Sequence, residues 1–159
     1  MPGKWLLPEQ FKLSLEYAPR VTIELVVVNE DGEVLLKIRE QKAHFFGHWH
    51  IPGGFLLKDE LIEECVIRLL HQELSVSGES SIIPWKPLGV AQTLSEEDPE
   101  RNAHYVHHLV RIPFESLTVA QRQGVLTAGV FHASIPANTI PYHERILGEF
   151  VLNQQKDLS

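Results

Sequence analysis

From Lys58 to about Leu74 the chain is dense in Leu, Ile, Glu and Arg and holds no Gly or Pro, and it follows closely on the breaker Pro52-Gly53-Gly54. Such residues favour helix throughout, whereas Pro and paired Gly stop regular structure and redirect the chain. The combination predicts a long helix launched from a sharp turn, which must pack its apolar stripe on whatever precedes it. At about 100° per residue, Glu60, Glu64, Arg68 and His71 form a polar arc, with Glu64 and Arg68 at the favourable i,i+4 spacing. The opposite arc carries Ile62, Val66 and Leu69, and Glu73 falls among them. A carboxylate there is costly unless it is paired or bound to a metal, so Glu73 is the residue of this helix to explain. A place in the last, fraying turn, with the side chain in water, is the competing explanation.

What precedes the helix is β structure. Val21 to Val28 is rich in β-branched residues, Asn29 to Gly32 reads NEDG, and Glu33 to Arg39 alternates. Strand, tight turn and strand make a hairpin. Gln41 to Gly47 is expected as a loop and His48 to Ile51 as a short strand. Further strands are expected at Leu88 to Leu94, His104 to Ile112 and Val125 to Phe131, with the acidic loop SEEDPERN between the first two. Pro8 to Tyr17 predicts a short helix, and a final helix is expected to start near Tyr142. A β pattern interrupted by one long helix and closed by another gives an α/β (α+β) class, a mixed β-sheet sandwiched between helices.

A chain of 159 residues with 43% hydrophobic content suits one core, so residues 1–159 are expected to form a single domain. The 21 acidic against 14 basic residues leave a net charge of −7. That balance argues against a nucleic-acid partner, because phosphate neutralisation needs clustered Lys and Arg. Cys65 is the only cysteine, which removes any intramolecular disulfide or thiolate zinc cluster and fits a reducing, cytoplasmic location. The start MPGKWLLPEQFK lacks the uninterrupted apolar stretch of a signal peptide, and later apolar runs are too short to cross a bilayer, so no membrane partner is expected.

The segment HWHIPGGFLLKDELIEECVIRLLHQELSV resembles the Nudix signature, a spaced loop-helix-loop pattern. Gly54, Glu60, Arg68, Leu70, Glu73 and Val76 match at the correct intervals, and Trp49, Pro52 and Gly53 match a common lead-in. Three positions depart: Leu69 stands where the signature has Glu, Gln72 replaces the first Glu of a Glu-Glu pair, and Ser75 replaces Gly. Arg68, Leu69, Glu73 and Leu74 resemble the variant box of GDP-mannose mannosyl hydrolases, Nudix enzymes that cleave at the sugar carbon.

The resemblance implies the Nudix fold and a Mg²⁺-dependent hydrolase of a nucleoside diphosphate linked to another moiety, a nucleotide sugar above all. It implies one Mg²⁺ (or Mn²⁺) held by the Gly53 carbonyl, Glu73 and Gln123, with substrate phosphates and water completing the shell. Glu73, Arg68 and Arg39 form the implied catalytic set, with Arg39 on the diphosphate. Glu24 and His104 are the further substrate-binding positions, and homodimerisation is implied as well. Arg68 has a second, structural reading as a tie between the box helix and its loop through Glu60 or Glu64. The family's basic histidine has no counterpart, since Gly124 and Val125 occupy its place and the next histidine is His132; Phe55 replaces a substrate-binding arginine.

Nine histidines invite a transition-metal reading, with His48 and His50 on one strand face and His104 and His108 on another. No cysteine cluster or His-Glu-x-x-His pattern accompanies them, so hydrogen-bonded or hydrated histidines are expected instead, with His107 packed on the face opposite His104. The missing base and the eroded box keep a second function in view, a Nudix domain that binds a nucleotide sugar without turnover as a sensor or partner module. A purely structural domain is the third.

Overall fold

The structure is a computed structural model that describes residues 5–76 and 83–152. Met1 to Lys4, part of the N-terminal stretch read for a signal peptide, lie outside the described residues. The elements are α1 (Pro8–Tyr17), β1 (Arg20–Val28), β2 (Val34–Ile38), β3 (Trp49–His50), β4 (Gly53–Phe55), α2 (Ile62–Leu74), β5 (Lys86–Thr93), β6 (Tyr105–Pro113), α3 (Val119–Ala128), β7 (Val130–His132) and α4 (Pro141–Leu147). A mixed seven-stranded sheet runs β3-β2-β1-β6-β5, with β4 also on β1 and β7 also on β2. The β1–β6 pair is parallel and all the other strand pairs are antiparallel.

The expected hairpin forms, with Val28 opposite Val34. Its turn is fixed by Asn29, whose Oδ1 accepts the Glu33 N–H at 2.9 Å, and by Gly32 at φ 77°. Alternation along β1 splits the core. Ile23, Leu25 and Val27 face α2 together with Val66, Leu70 and Leu74, while Val26 and Val28 face Ile146 and Leu147 of α4. Both faces are covered, which is the sandwich the sequence predicts.

Three expectations change. The long helix starts at Ile62, because Asp59 is left-handed at φ 62° and Glu60 spends its carboxylate on the Leu57 N–H, so residues 58–61 form a turn. The stretch Pro52-Gly53-Gly54 does not simply break the chain, since Gly53 and Gly54 pair with Glu24 and Ile23 of β1. Val125 to Phe131 is not a strand. Thr118 and Gln121 form a reciprocal capping box, with bonds of 3.2 and 2.9 Å, that starts α3, and the helix consumes Val125 to Ala128 before Gly129 releases a short β7. The end of α2 explains the unusual Ser75. It adopts φ 53°, a conformation glycine takes freely, and its N–H returns to the Leu70 carbonyl.

Candidate active site

Glu24 is the one charged side chain in the buried stretch of β1, and it lies in the wall of a cavity of about 220 Å³. Alternation puts Thr22 and Glu24 on the α4 face, and the parallel register sets Thr22 opposite His107 of β6. Thr22 donates to Glu24 Oε1 at 2.8 Å, His107 Nδ1 lies 3.0 Å from the same oxygen, and His143 Nε2 lies 3.9 Å away. Burial alone raises the carboxyl. The His107 hydrogen bond, the neighbouring imidazoles and the Thr22 hydroxyl outweigh it and hold Glu24 ionised at about 2. His143, buried and bonded through Nδ1 to the Ile51 N–H at 3.0 Å, is pushed down to about 3 by burial first, so it is neutral at physiological pH. Its part in stabilising the Glu24 carboxylate is that of an N–H dipole rather than a full charge.

Two glycines open this wall. A Cβ on Gly53 would meet Glu24 Oε2 and the Ile23 carbonyl, and one on Gly54 would lie 2.7 Å from Leu69 Cδ2. Leu69, standing where the signature has Glu, is therefore the apolar face against which Gly54 packs. Gly53→Ala is expected to cost about 1–3 kcal/mol, since the obstacle is main chain as well as side chain, and urea unfolding measures it.

Arg39, Gln72, Glu73 and Arg101 also line the cavity. Arg39 Nε is sealed from solvent and has no partner among the described residues. Glu73 does have one: Lys37 Nζ lies 3.2 Å from its Oε2 and donates to its main-chain carbonyl at 2.7 Å. The costly carboxylate of the box helix is thus paired, by a lysine that also caps the end of α2.

The cavity brings together Glu24, Arg39, Gly53 and Glu73 from the expected set, and it leaves out three others. Arg68 is outside the lining and commits its fork to Glu60, at 2.6 and 2.8 Å, and to the Phe55 carbonyl at 2.9 Å, so the loop tie runs through Glu60; Glu64 instead accepts the Leu61 N–H. Gln123 is exposed on α3, because the segment expected to reach the site as loop and strand is helical. His104 pairs with Gln92 at 3.1 Å, and His107, expected to pack on the far face, is the β6 histidine in the cavity. Tyr142 and His143 also line the cavity and were not singled out by the sequence as site residues, and His50, considered there only as a metal ligand beside His48, joins them.

The described residues contain no group of three or more His, Cys, Asp or Glu side chains placed to hold a metal ion. With Glu73 paired to Lys37, Glu24 bonded into its imidazole cluster and Gln123 elsewhere, the donors present do not fit the Mg²⁺ or Mn²⁺ site that the resemblance implies.

The model of the NUDIX domain family matches residues 18–138. The chain belongs to the Nudix family. This is a family of hydrolases, which generally act with a divalent ion such as Mg²⁺ or Mn²⁺. Among curated proteins, the Nudix chain is 32% identical over 68 residues to the low-salt glycan biosynthesis protein Agl8 of Haloferax volcanii, covering 43% of this chain and 42% of Agl8. Among solved structures, Shewanella oneidensis NrtR superposes with a TM-score of 0.59 at 19% identity, over 82% of this chain and 61% of that one. A bifunctional NMN adenylyltransferase/ADP ribose pyrophosphatase from Francisella tularensis, complexed with AMP and a Mn ion, has a TM-score of 0.55 at 18% identity, over 92% of this chain and 47% of that one. The Nudix chain thus spans about half of these longer proteins, and the structural likenesses establish a shared fold.

One expectation is corrected by these likenesses. The net charge argued against a nucleic-acid partner, yet NrtR, with this fold, has been crystallised with a 27mer DNA. Net charge is a whole-chain sum, whereas phosphate contact is decided by local faces. No helix among the described residues is long and apolar enough to cross a membrane.

Proposed function

We propose that this Nudix domain hydrolyses a nucleoside diphosphate linked to another moiety, with a nucleotide sugar the best-fitting class. The observation that carries the reading is Arg39, whose Nε is buried and unpartnered in the cavity wall. An unmade buried donor costs about 1–3 kcal/mol, and a ligand that completes the bond recovers it. The planar guanidinium fork matches a phosphate, and Arg101 offers a second in the same cavity. The remaining lining, with Glu24 and Tyr142, suits a hydroxyl-rich group, and the glycan-biosynthesis name of the Haloferax relative agrees with a sugar-bearing ligand.

Arg39→Ala is expected to weaken binding of a nucleoside diphosphate such as ADP by about 10- to 100-fold, the loss of a charge-assisted hydrogen bond of roughly 1.5–3 kcal/mol. Thermal stability should hold or rise, because no described residue loses a partner. Calorimetric titration and a melting curve of the same variant read both quantities. Equal affinity in the variant and the parent overturns the assignment of Arg39, and no saturable binding by the parent overturns the ligand class.

The Lys37–Glu73 pair favours a second reading. A box carboxylate already neutralised by an ammonium suits a module that binds the same ligand without turnover. Saturable binding with no products under any condition would mark it.

A further inference from the structure

Three histidines line the cavity, and their bonds distinguish their tautomers. His143 accepts the Ile51 N–H through Nδ1, so its proton sits on Nε2, on the Glu24 side. His107 has both nitrogens engaged: Nδ1 with Thr22 Oγ1 at 2.8 Å and Glu24, and Nε2 with Thr93 Oγ1 at 2.8 Å. His50 differs. Its Nδ1 lies 2.8 Å from the Ile51 carbonyl oxygen, which can only accept, so Nδ1 carries the proton and Nε2 is a bare lone pair. The sealed, unpartnered polar side-chain atoms among the described residues are Arg39 Nε, Arg122 Nε and His132 Nε2. His50 Nε2, unbonded and absent from that group, therefore opens to the cavity.

We infer that His50 is the general base of the proposed hydrolysis, with Nε2 taking a proton from the attacking water. The inference rests on the hydrolase reading above. In the step, one water O–H bond breaks and its proton goes to Nε2. The water oxygen forms a bond to the electrophilic atom of the scissile link, the glycosyl carbon or a phosphorus. The link to the bridging oxygen breaks, and its electron pair leaves with the nucleotide, whose charge Arg39 receives. The proton on His50 then passes to solvent.

The groups facing His50 keep it in the form this step needs. Burial first, then the positive charge of Arg39 and, more weakly, that of Lys37, push it down to about 4, against the pull of the Ile51 carbonyl and of Glu24. The His143 ring stands 6.3 Å away on α4 and is itself neutral. His50 is thus neutral, with its Nε2 lone pair free, throughout the physiological range. The bond from Nδ1 to the Ile51 carbonyl fixes its tautomer, as an orienting acceptor does for any catalytic imidazole.

The test is steady-state kinetics of the parent, His50→Gln and His50→Ala on whichever nucleotide sugar the parent cleaves, beside calorimetric titration with ADP. Loss of a positioned base removes about 10²- to 10⁴-fold in kcat, while KM and ADP affinity stay within about threefold. Added imidazole should restore part of the His50→Ala rate, a response that a merely structural histidine does not give. Wild-type turnover with kcat unchanged in His50→Gln, or His50→Ala unmoved by imidazole, overturns the base assignment and leaves the hydrolase reading intact. ADP binding with no turnover by the parent overturns the hydrolase reading, and the base assignment with it.

Discussion

Arg68→Met is expected to destabilise the fold by about 3–5 kcal/mol, the cost of leaving a buried charge without its partner. The Glu60 side chain is 1% exposed, and both its oxygens are gripped by the Arg68 fork. Without the guanidinium, Glu60 keeps the Leu57 N–H and the weak Cys65 thiol, and the Phe55 carbonyl loses a donor. The loss is local: residues 56–61 should detach from α2 while the sheet persists. Urea unfolding of the single variant, and of a double variant that also replaces Glu60 by leucine, separates the pair from its burial. The double variant should recover most of the loss, because neither buried charge then remains. A double variant as unstable as the single one would show that packing, not charge, dominates at this loop.

Acidification is the second large effect. His50 and His143 have folded values pushed down to about 4 and about 3, below the ordinary histidine value in the unfolded chain. The unfolded chain therefore binds more protons below about pH 6.5. Stability from these residues is complete above that value and falls as pH drops from 6.5 through 4 and toward 3. At 1.36 kcal/mol per unit, the loss by pH 4 is on the order of 5 kcal/mol, comparable with the whole stability of many domains. Glu24 has the same sign at lower pH, since its depressed value makes a contribution that is lost as pH falls from the ordinary carboxylate range toward about 2. Unfolding curves at pH 7.5, 6, 5 and 4 measure the slope, and His143→Asn, which retains an acceptor for the Ile51 N–H, should flatten it.

Much of the fold was legible because its signals are local. Asn29 to Gly32 declares a turn, the β-branched run before it declares a strand, and the Gly- and Pro-free run after Gly54 declares the helix. Val125 to Phe131 misled because its β-branched Val125, Thr127 and Val130 were read without the Thr118–Gln121 capping box that begins seven residues upstream, which outranks them. The site was legible only in part. Glu24, Arg39, Gly53 and Glu73 meet in one cavity: β4 pairs Gly53 with Glu24 of β1, Arg39 follows β2, and Glu73 closes α2. The partner of Glu73 could not be read from its helix, because Lys37 arrives from β2, 36 residues away in sequence. Likewise His107 and His143 acquire their roles from a parallel strand register and from α4, contacts that periodicity within one segment does not encode.

The central claim is hydrolysis of a nucleoside diphosphate derivative, and chromatographic product analysis tests it most directly. A panel of nucleotide sugars and dinucleotides would be incubated with the protein in the presence of Mg²⁺, Mn²⁺ or EDTA. The account predicts that at least one member is split into a nucleotide and its released moiety, as nucleoside diphosphate plus free sugar or as two monophosphates. Every member recovered intact in all three conditions, at protein concentrations matching the substrate, would contradict it.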